Sequence, residues 1–412
     1  MDFDMPPDDD PRRREVRDWI AAHPDPSNDQ LAEAGYVVPH WPEPWGRNAD
    51  PMTQLIISEE MAAADVTMPH NAIGIGWAAP VIWIAGTEEQ KQRYLPKIFN
   101  DDERWCQLFS EPDSGSDLAS LATRAVRDGD EYVINGSKIW SSGAHSSKLG
   151  ILLARTNPDV PKHKGISYFI FPMDAPGVTL SPVVDMTTAH SFNQVFFDDV
   201  RIPVSMRLGE EGDGWRLAKA TLANERVGLS EGGVLWGSGP SAFDFLDMVR
   251  EAGAPVDPIV RDRLAQLHVN ATVLKLNQLR TLSAKLAGGT PGPEASIQKI
   301  MADELGQEVM GLAKDLAGTD GMLEGSGVPG DIASSRRWGP TEINFARGQD
   351  SQFPDVDPIW HYGYLFSPAL TLGGGTFAIQ RNIVAEHVLG LPREPNVEHG
   401  KTWAETMSAR SR

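Results

Sequence analysis

Apolar residues divide the chain into a helical region, a region of short strands and a second helical region. They recur at helical spacing in residues 11–22, 52–62 and 77–85. Between residues 105 and 204 they form short β-branched or aromatic runs bounded by Gly, Pro, Asn or Asp, which is typical of strands. Helical spacing returns from Trp215. The pattern therefore predicts helices, then an antiparallel β sandwich or barrel, then helices again.

Local signals place several element boundaries. The predicted strands are residues 132–136, 149–155, 166–172, 178–184 and 194–197. Gly86 suits the end of a helix, and Thr87 can cap the next helix together with a glutamine three residues later. A final helix is predicted over 377–389. Two Gly- and Pro-rich stretches, 287–293 and 325–358, predict a flexible connection and a long loop that is either functional or disordered.

The length of 412 residues exceeds one ordinary hydrophobic core, so two or three domains are expected. Together with the periodicity, this predicts an α+β fold of three parts. Residues 1–105 form an N-terminal α-helical domain, 106–205 a middle antiparallel β domain, and 206–412 a C-terminal α-helical domain.

Composition and charge exclude several classes of protein. The chain is 41% hydrophobic and 23% charged, the balance of a globular protein, and its net charge of −20 argues against nucleic acid as the main partner. One cysteine, Cys106, excludes an internal disulfide and a cysteine-rich metal site. The ten histidines lack ligand spacing, so no metal is expected. With neither a signal-peptide pattern nor a long apolar run, we expect a cytoplasmic protein without a membrane span.

Some motif matches lack the structural context that their chemistry needs. Residues 228–232 fit the G-x-S-x-G pattern of hydrolases, but their flanks are helical, whereas that motif requires a strand and a sharp turn. The stretches 74–79, 237–242 and 373–378 imitate a dinucleotide-binding fingerprint, yet none follows a predicted strand. We therefore assign none of them to chemistry.

Two neighbouring stretches are far more specific. Residues 107–117 read QLFSEPDSGSD, and residues 132–143 read YVINGSKIWSSG. They resemble the signature of the acyl-CoA dehydrogenase family, in which a T-E-P-x-x-G-S-D loop precedes an N-G-x-K-x-W-I-T strand. The resemblance continues through 86–98, 200–215 and 373–394, in the family's order and spacing. It covers nearly the whole chain and implies the family's helix–β–helix architecture and its FAD cofactor.

The resemblance assigns residues to the flavin. It implies a flavin loop made by Gln107, Phe109, Ser110, Gly115 and Ser116, with Ser116 also near the substrate. A flavin needs backbone donors, hydroxyls and an apolar wall that excludes water. The residues themselves leave a plainer alternative open, in which the glycine and serines only build a turn.

The second part of the signature is assigned to the face of the ring. The family places Trp140, Ser141 and Ser142 over the flavin, with Ser142 where a threonine usually bonds N5. Thr376 and Arg250 are implied as further FAD contacts. The alternative for Trp140 is a place in the hydrophobic core.

The catalytic base is the informative departure. Removing the α-proton of a thioester requires a desolvated carboxylate, which many members carry in an E-G-T motif. The matching residue here is Gly374, which cannot act as a base. A second family solution is an E-R pair on an earlier helix, and Glu225-Arg226 matches it. We therefore predict Glu225 as the base and Arg226 as a substrate contact or a support for that segment.

Two alternatives for the base remain open. Glu225 could instead form a surface ion pair, the common fate of a helical glutamate. Asp244 and Asp247 are the next candidates. Gly374 is predicted to offer its N–H to the thioester oxygen and to leave volume free for a bulky or branched acyl chain.

Other departures concern the adenosine end of FAD. The family's R-x-x-F-G becomes Arg250–Ala254, Asp315 replaces a glutamine near the diphosphate, and Phe377 and Ala378 replace small polar and acidic residues. These losses fit an α2β2 heterotetramer in which a related chain completes the site. They equally fit a divergent homotetramer in which residues 325–358 do so.

The sequence thus predicts an FAD-dependent acyl-CoA dehydrogenase of lipid metabolism and fatty acid β-oxidation. Its partners would be an acyl-CoA substrate and an electron-transfer flavoprotein. The alternatives are a non-catalytic or half-site subunit of a heteromer, and a flavin oxidase or monooxygenase of the same fold. Because FAD and CoA are anionic, the site must carry local positive charge although the chain is acidic overall. Arg226 and Arg250 are the candidate cations.

Overall fold

A computed structural model describes most of the chain. The described residues are 6–229, 234–236, 239–252, 257–286, 292–317 and 358–410. Most of the predicted connection 287–293 and all but the last residue of the predicted loop 325–358 lie outside them.

The N-terminal region is helical, as predicted. Its helices are α1 (Pro11–Ala22), α2 (Asn28–Glu33), α3 (Pro51–Ala63), α4 (Ala79–Ala85) and α5 (Glu88–Phe99). A proline opens α1 and α3, where its missing N–H costs nothing, and Asp10 and Asp50 cap these helices. The predicted cap of α5 is confirmed, because Thr87 and Gln90 form a reciprocal capping box.

The middle region is a sheet. Its strands are β1 (Trp105–Leu108), β2 (Arg124–Asp128), β3 (Glu131–Lys138), β4 (Leu149–Arg155), β5 (Ile166–Pro172), β6 (Val178–Val183), β7 (Phe192–Pro203) and β8 (Arg207–Leu208). The strand order is β6-β7-β3-β2-β4-β5-β8. Pairing is antiparallel, as predicted, except that β4 pairs in parallel with β1 and, at one residue pair, with β2. The pattern did not predict β1, β2 and β8.

Strands β4 and β5 are buried on both faces. One face, with Ile151 and Tyr168, joins the core of the N-terminal helices. The opposite face, with Leu152 and Phe169, packs against β3 and β7 in a second core. The sheet therefore curves around its own core on one side and offers its other side to helices.

The C-terminal region is again helical, as predicted. Its helices are α6 (Gly214–Leu229), α7 (Ala242–Ala252), α8 (Pro258–Leu286), α9 (Ala295–Ala317), α10 (Pro358–Phe366), α11 (Phe377–Ile383) and α12 (Trp403–Arg410). Helix α9 is central, since α6, α8, α10 and α11 all pack against it. None of the helices in the described part of the chain combines the length and apolar character that a bilayer crossing requires.

Candidate active site

The candidate base lies where α6 meets the end of β1. Glu225 is only 8% exposed although it is a helical glutamate. The side-chain amide Nε2 of Gln107 donates to its Oε2 at 3.3 Å. The structure thus brings the predicted base and the first predicted flavin-loop residue into contact across 118 positions of sequence. Glu225 is therefore buried against the flavin-loop residue Gln107, which is not the solvent-exposed position of a typical helical glutamate.

A buried ion pair supports the flavin loop. Lys138 of β3 is fully buried, and its Nζ donates to Glu111 Oε1 at 2.7 Å and to the Phe109 carbonyl at 2.9 Å. Glu111 also accepts from the backbone N–H groups of Ala122 and Thr123. Burial favours a raised pKa for Glu111, but the Lys138 ammonium and these donors hold its pKa below the ordinary value.

This pair explains two signature residues to which the sequence alone assigns no role. They are the glutamate of S-E-P and the lysine of N-G-S-K, and their recurrence in the motif was the available signal. Removing one partner of such a buried pair would leave an uncompensated charge, at a cost of about 3–5 kcal/mol.

The flavin-loop residues occupy different levels of burial. Phe109 is buried and packs edge-on against Tyr168, with ring centroids 5.8 Å apart. The Ser110 carbonyl accepts from the Ile139 N–H at 2.9 Å, which ties the loop to the end of β3. Gly115 and Ser116 are exposed at the loop tip, and a Cβ at Gly115 would meet no atom within 4 Å. The tip is therefore open to a ligand.

The segment after β3 turns a tryptophan outward. Trp140 has a left-handed backbone (φ 62°) and is 56% exposed, so it does not belong to the core. Its ring meets Phe192 edge-on, with centroids 5.9 Å apart. The next residue, Ser141, exchanges backbone hydrogen bonds with Asn193, and its buried Oγ has no hydrogen-bond partner among the described residues. Ser142 is half-buried.

These features fit an FAD site. The exposed indole of Trp140 can form the apolar wall that a flavin requires, and the half-buried hydroxyls of Ser110 and Ser142 can donate hydrogen bonds to it. The open glycine tip allows the backbone to approach the ring closely. The fit concerns the flavin end of the cofactor.

The prediction that Gly374 leaves side-chain volume free is wrong. A Cβ at Gly374 would lie 2.6 Å from Leu229 Cδ1 and 2.9 Å from Lys299 Cε, and its φ is +66°. The side chains of α6 and α9 therefore fill the space beside this turn. A bulky acyl group needs another source of room.

The remaining predicted residues have these surroundings. Thr376 caps α11 by accepting from the Ile379 N–H at 3.4 Å. Arg250 is exposed on α7 and pairs with Asp247 at 2.9 Å. Asp315 pairs with Arg263 at 2.6 Å, which compensates its charge. The side chain of Arg226 lies outside the described residues.

Asp244 and Asp247, the alternative bases, both have structural partners. Asp244 and Ser241 cap the start of α7 reciprocally, at 2.9 and 3.1 Å. Asp247 is exposed beside Arg250. Neither has the burial of Glu225. In the described part of the chain, no group of three or more His, Cys, Asp or Glu side chains could hold a metal ion.

Comparison with known families agrees with this architecture. Models of the acyl-CoA dehydrogenase N-terminal, middle and C-terminal domains match residues 10–102, 106–200 and 212–389. The chain belongs to the acyl-CoA dehydrogenase family, whose enzymes are oxidoreductases acting on CH–CH bonds.

Two of the similar proteins come from Mycobacterium tuberculosis. The chain is 38% identical to acyl-CoA dehydrogenase FadE34 over 88% of its own length, but it spans only 46% of that protein. It is 37% identical to acyl-CoA dehydrogenase IpdE1, over 89% of this chain and 88% of that one.

Two solved structures share the fold over nearly the full length. The ChsE4-ChsE5 complex from Mycobacterium tuberculosis matches with a TM-score of 0.73 and 31% identity, covering 96% of this chain and 100% of that one. A structure described as the Tcur3481-Tcur3483 steroid ACAD matches with a TM-score of 0.74 and 28% identity, over the same shares.

Proposed function

We propose that the chain is an FAD-dependent acyl-CoA dehydrogenase that oxidises the Cα–Cβ bond of a CoA thioester to the trans-2-enoyl product. The observation that carries this proposal is the buried Glu225 in contact with the flavin loop through Gln107. A carboxylate shielded from water and beside the flavin loop is the group that α-proton removal needs.

The chain's own residues supply binding and proton transfer. Glu225 accepts the α-proton and becomes neutral, while the Gln107 amide holds its Oε2. Bound FAD supplies the acceptor for the hydride that leaves Cβ, so the proton and the hydride account for both C–H bonds broken. The Gly374 N–H is the proposed donor to the thioester oxygen.

The proposed FAD contacts follow the geometry above. Ser110, Gly115 and Ser116 would hold the flavin, and Trp140 to Ser142 would cover its ring. The Glu111–Lys138 pair would keep these two segments together. Thr376 and Arg250 stay proposed contacts from the resemblance.

A bulky acyl group remains our proposal, now without support from Gly374. It rests on the likeness to the structure described as a steroid ACAD. The ChsE4-ChsE5 complex, which contains two different chains, supports an α2β2 assembly with a related chain over a homotetramer. An electron-transfer flavoprotein would receive the electrons, in lipid β-oxidation.

The proposal is tested on the chain co-expressed and purified with a related acyl-CoA dehydrogenase chain. We expect a yellow protein whose visible flavin band bleaches under anaerobic conditions when a CoA thioester is added. Thioesters of steroid carboxylic acids and branched acids should bleach it faster than butyryl-CoA or octanoyl-CoA. Full turnover should require an electron acceptor other than oxygen.

Other results would favour the alternatives. Rapid oxygen uptake without an acceptor would identify an oxidase or monooxygenase. A co-purified complex that bleaches as fast with Glu225→Gln in this chain as without it would identify this chain as a non-catalytic subunit. If every straight-chain thioester bleached the flavin faster than the steroid and branched thioesters, the proposed bulky substrate would be contradicted. The proposed dehydrogenase activity would not be.

A further inference from the structure

Helix α9 carries a buried ion pair beside the candidate base. Lys299 is fully buried and Asp303, one turn later, is 2% exposed. The Lys299 Nζ lies 2.5 Å from Asp303 Oδ2 and donates to the Leu370 carbonyl at 3.0 Å. A buried ammonium is costly unless several acceptors share it.

The ammonium lies at the glycine turn of the proposed thioester site. A Cβ on Gly374 would be 3.7 Å from Lys299 Nζ and 2.9 Å from its Cε. Lys299 therefore occupies space beside the turn where the family often carries its acid. Leu229, one turn after Glu225 on α6, meets the same glycine turn, so the helix of the candidate base and Lys299 of α9 pack together there.

Charged groups on neighbouring helices act on the Lys299–Asp303 pair. Helix α6 contributes Glu225, α9 contributes Asp303 and Glu304, and α11 contributes Arg381, which pairs with Glu304 at the surface. Burial lowers the pKa of Lys299, while the attraction of Asp303 and Glu225 opposes that change. Burial also raises the pKa of Asp303, to about 7, against the opposing attraction of Lys299.

We propose that Lys299 is a positioning residue that keeps the Glu225 carboxylate ionised and in place for the α-proton. A buried carboxylate tends to protonate, the more so when an acyl chain displaces water from it. A fixed cation nearby opposes this tendency. The inference rests on the proposed function, in which Glu225 is the base.

The test measures proton removal separately from flavin reduction. The holoprotein is reduced beforehand, so that no hydride can be accepted, and placed in D₂O with octanoyl-CoA, isobutyryl-CoA or a steroid-carboxyl CoA thioester. Mass spectrometry then follows α-deuterium uptake by the fastest of the three across pH. In Lys299→Met, the pH of half-maximal exchange should rise by about one unit or more, with a plateau recovered at high pH.

Two further variants guard against trivial effects. Lys299→Met/Asp303→Leu replaces the whole buried pair by apolar groups, which proteins often tolerate. It should also shift the profile upward, but by less than Lys299→Met, because no unpaired Asp303 carboxyl remains. Lys314→Met removes another lysine of α9, which contacts His361, and should leave the profile unchanged.

The possible failures are distinguishable. Unshifted profiles in both Lys299 variants, with exchange lost in Glu225→Gln, would overturn this inference and leave the proposed base intact. Exchange that survives Glu225→Gln, or is absent from the wild type at every pH, would overturn the inference and the assigned base together.

Discussion

Single residues decide what the glycine turn can do. Gly373 faces the Trp236 ring, where a Cβ would approach to 2.5 Å, and Gly375 faces the Gln380 amide at 2.6 Å. Gly374 faces Leu229 and Lys299. The absence of an acid at 374 could be read from the sequence. What fills the place could not, because Lys299 comes from a different helix, brought there only by packing.

Gly374→Glu should therefore fail to create a second base. The glutamate would have to adopt a left-handed backbone conformation, and its side chain would overfill the site. Each effect should lower the free energy of unfolding by roughly 1–3 kcal/mol. Urea unfolding measures this loss, and Gly76→Ala, where a Cβ would meet no atom within 4 Å, is the control with little expected change. Two results together would contradict this packing. Gly374→Glu would be as stable as the wild type, and adding it to Glu225→Gln would restore turnover.

At the scale of elements, α12 covers the segment that follows the flavin loop. The Trp403 indole donates to the Ser120 carbonyl at 3.1 Å and lies over the buried Arg155 guanidinium, 5.0 Å from it. Arg155 in turn donates to the Ala119 and Leu121 carbonyls. Arg410 pairs with Asp117, the last residue of the signature loop. Apolar periodicity predicted the long helices and most strands, but it missed α12, whose contacts are largely polar and distant in sequence.

Trp403→Ala should weaken the flavin loop. Losing the cover of Arg155 should lower the free energy of unfolding by about 2–4 kcal/mol and reduce FAD affinity, because residues 119–121 lose their support. Denaturant unfolding and FAD titration of the apoprotein measure the two effects.

The matched control is Arg393→Ala, which removes an exposed arginine paired with Glu386 outside this region. Its effect should stay within about 1 kcal/mol. If Trp403→Ala bound FAD as tightly as the wild type, the cover would have no role in the site.

At the scale of the whole molecule, the order of the sequence motifs along the chain predicted the helix–sheet–helix architecture, which is confirmed. They did not reveal the parallel β1–β4 pairing that delivers Gln107 to Glu225, since register depends on contacts across the fold. The net charge of −20 likewise conceals buried cations, among them Lys138, Arg155 and Lys299. Lys138 lies at the flavin loop and Lys299 near the base. The sequence predicted positive charge at this site in an otherwise acidic chain.

The central claim is that Glu225 is the base of an acyl-CoA dehydrogenase. Its most direct test is the anaerobic rate of flavin bleaching by a CoA thioester in Glu225→Gln, with the surface variant Glu304→Gln as control. We predict an unchanged yellow spectrum and a rate lowered by about 10³-fold or more in Glu225→Gln, with little change in the control. Bleaching at the wild-type rate in Glu225→Gln would contradict the account.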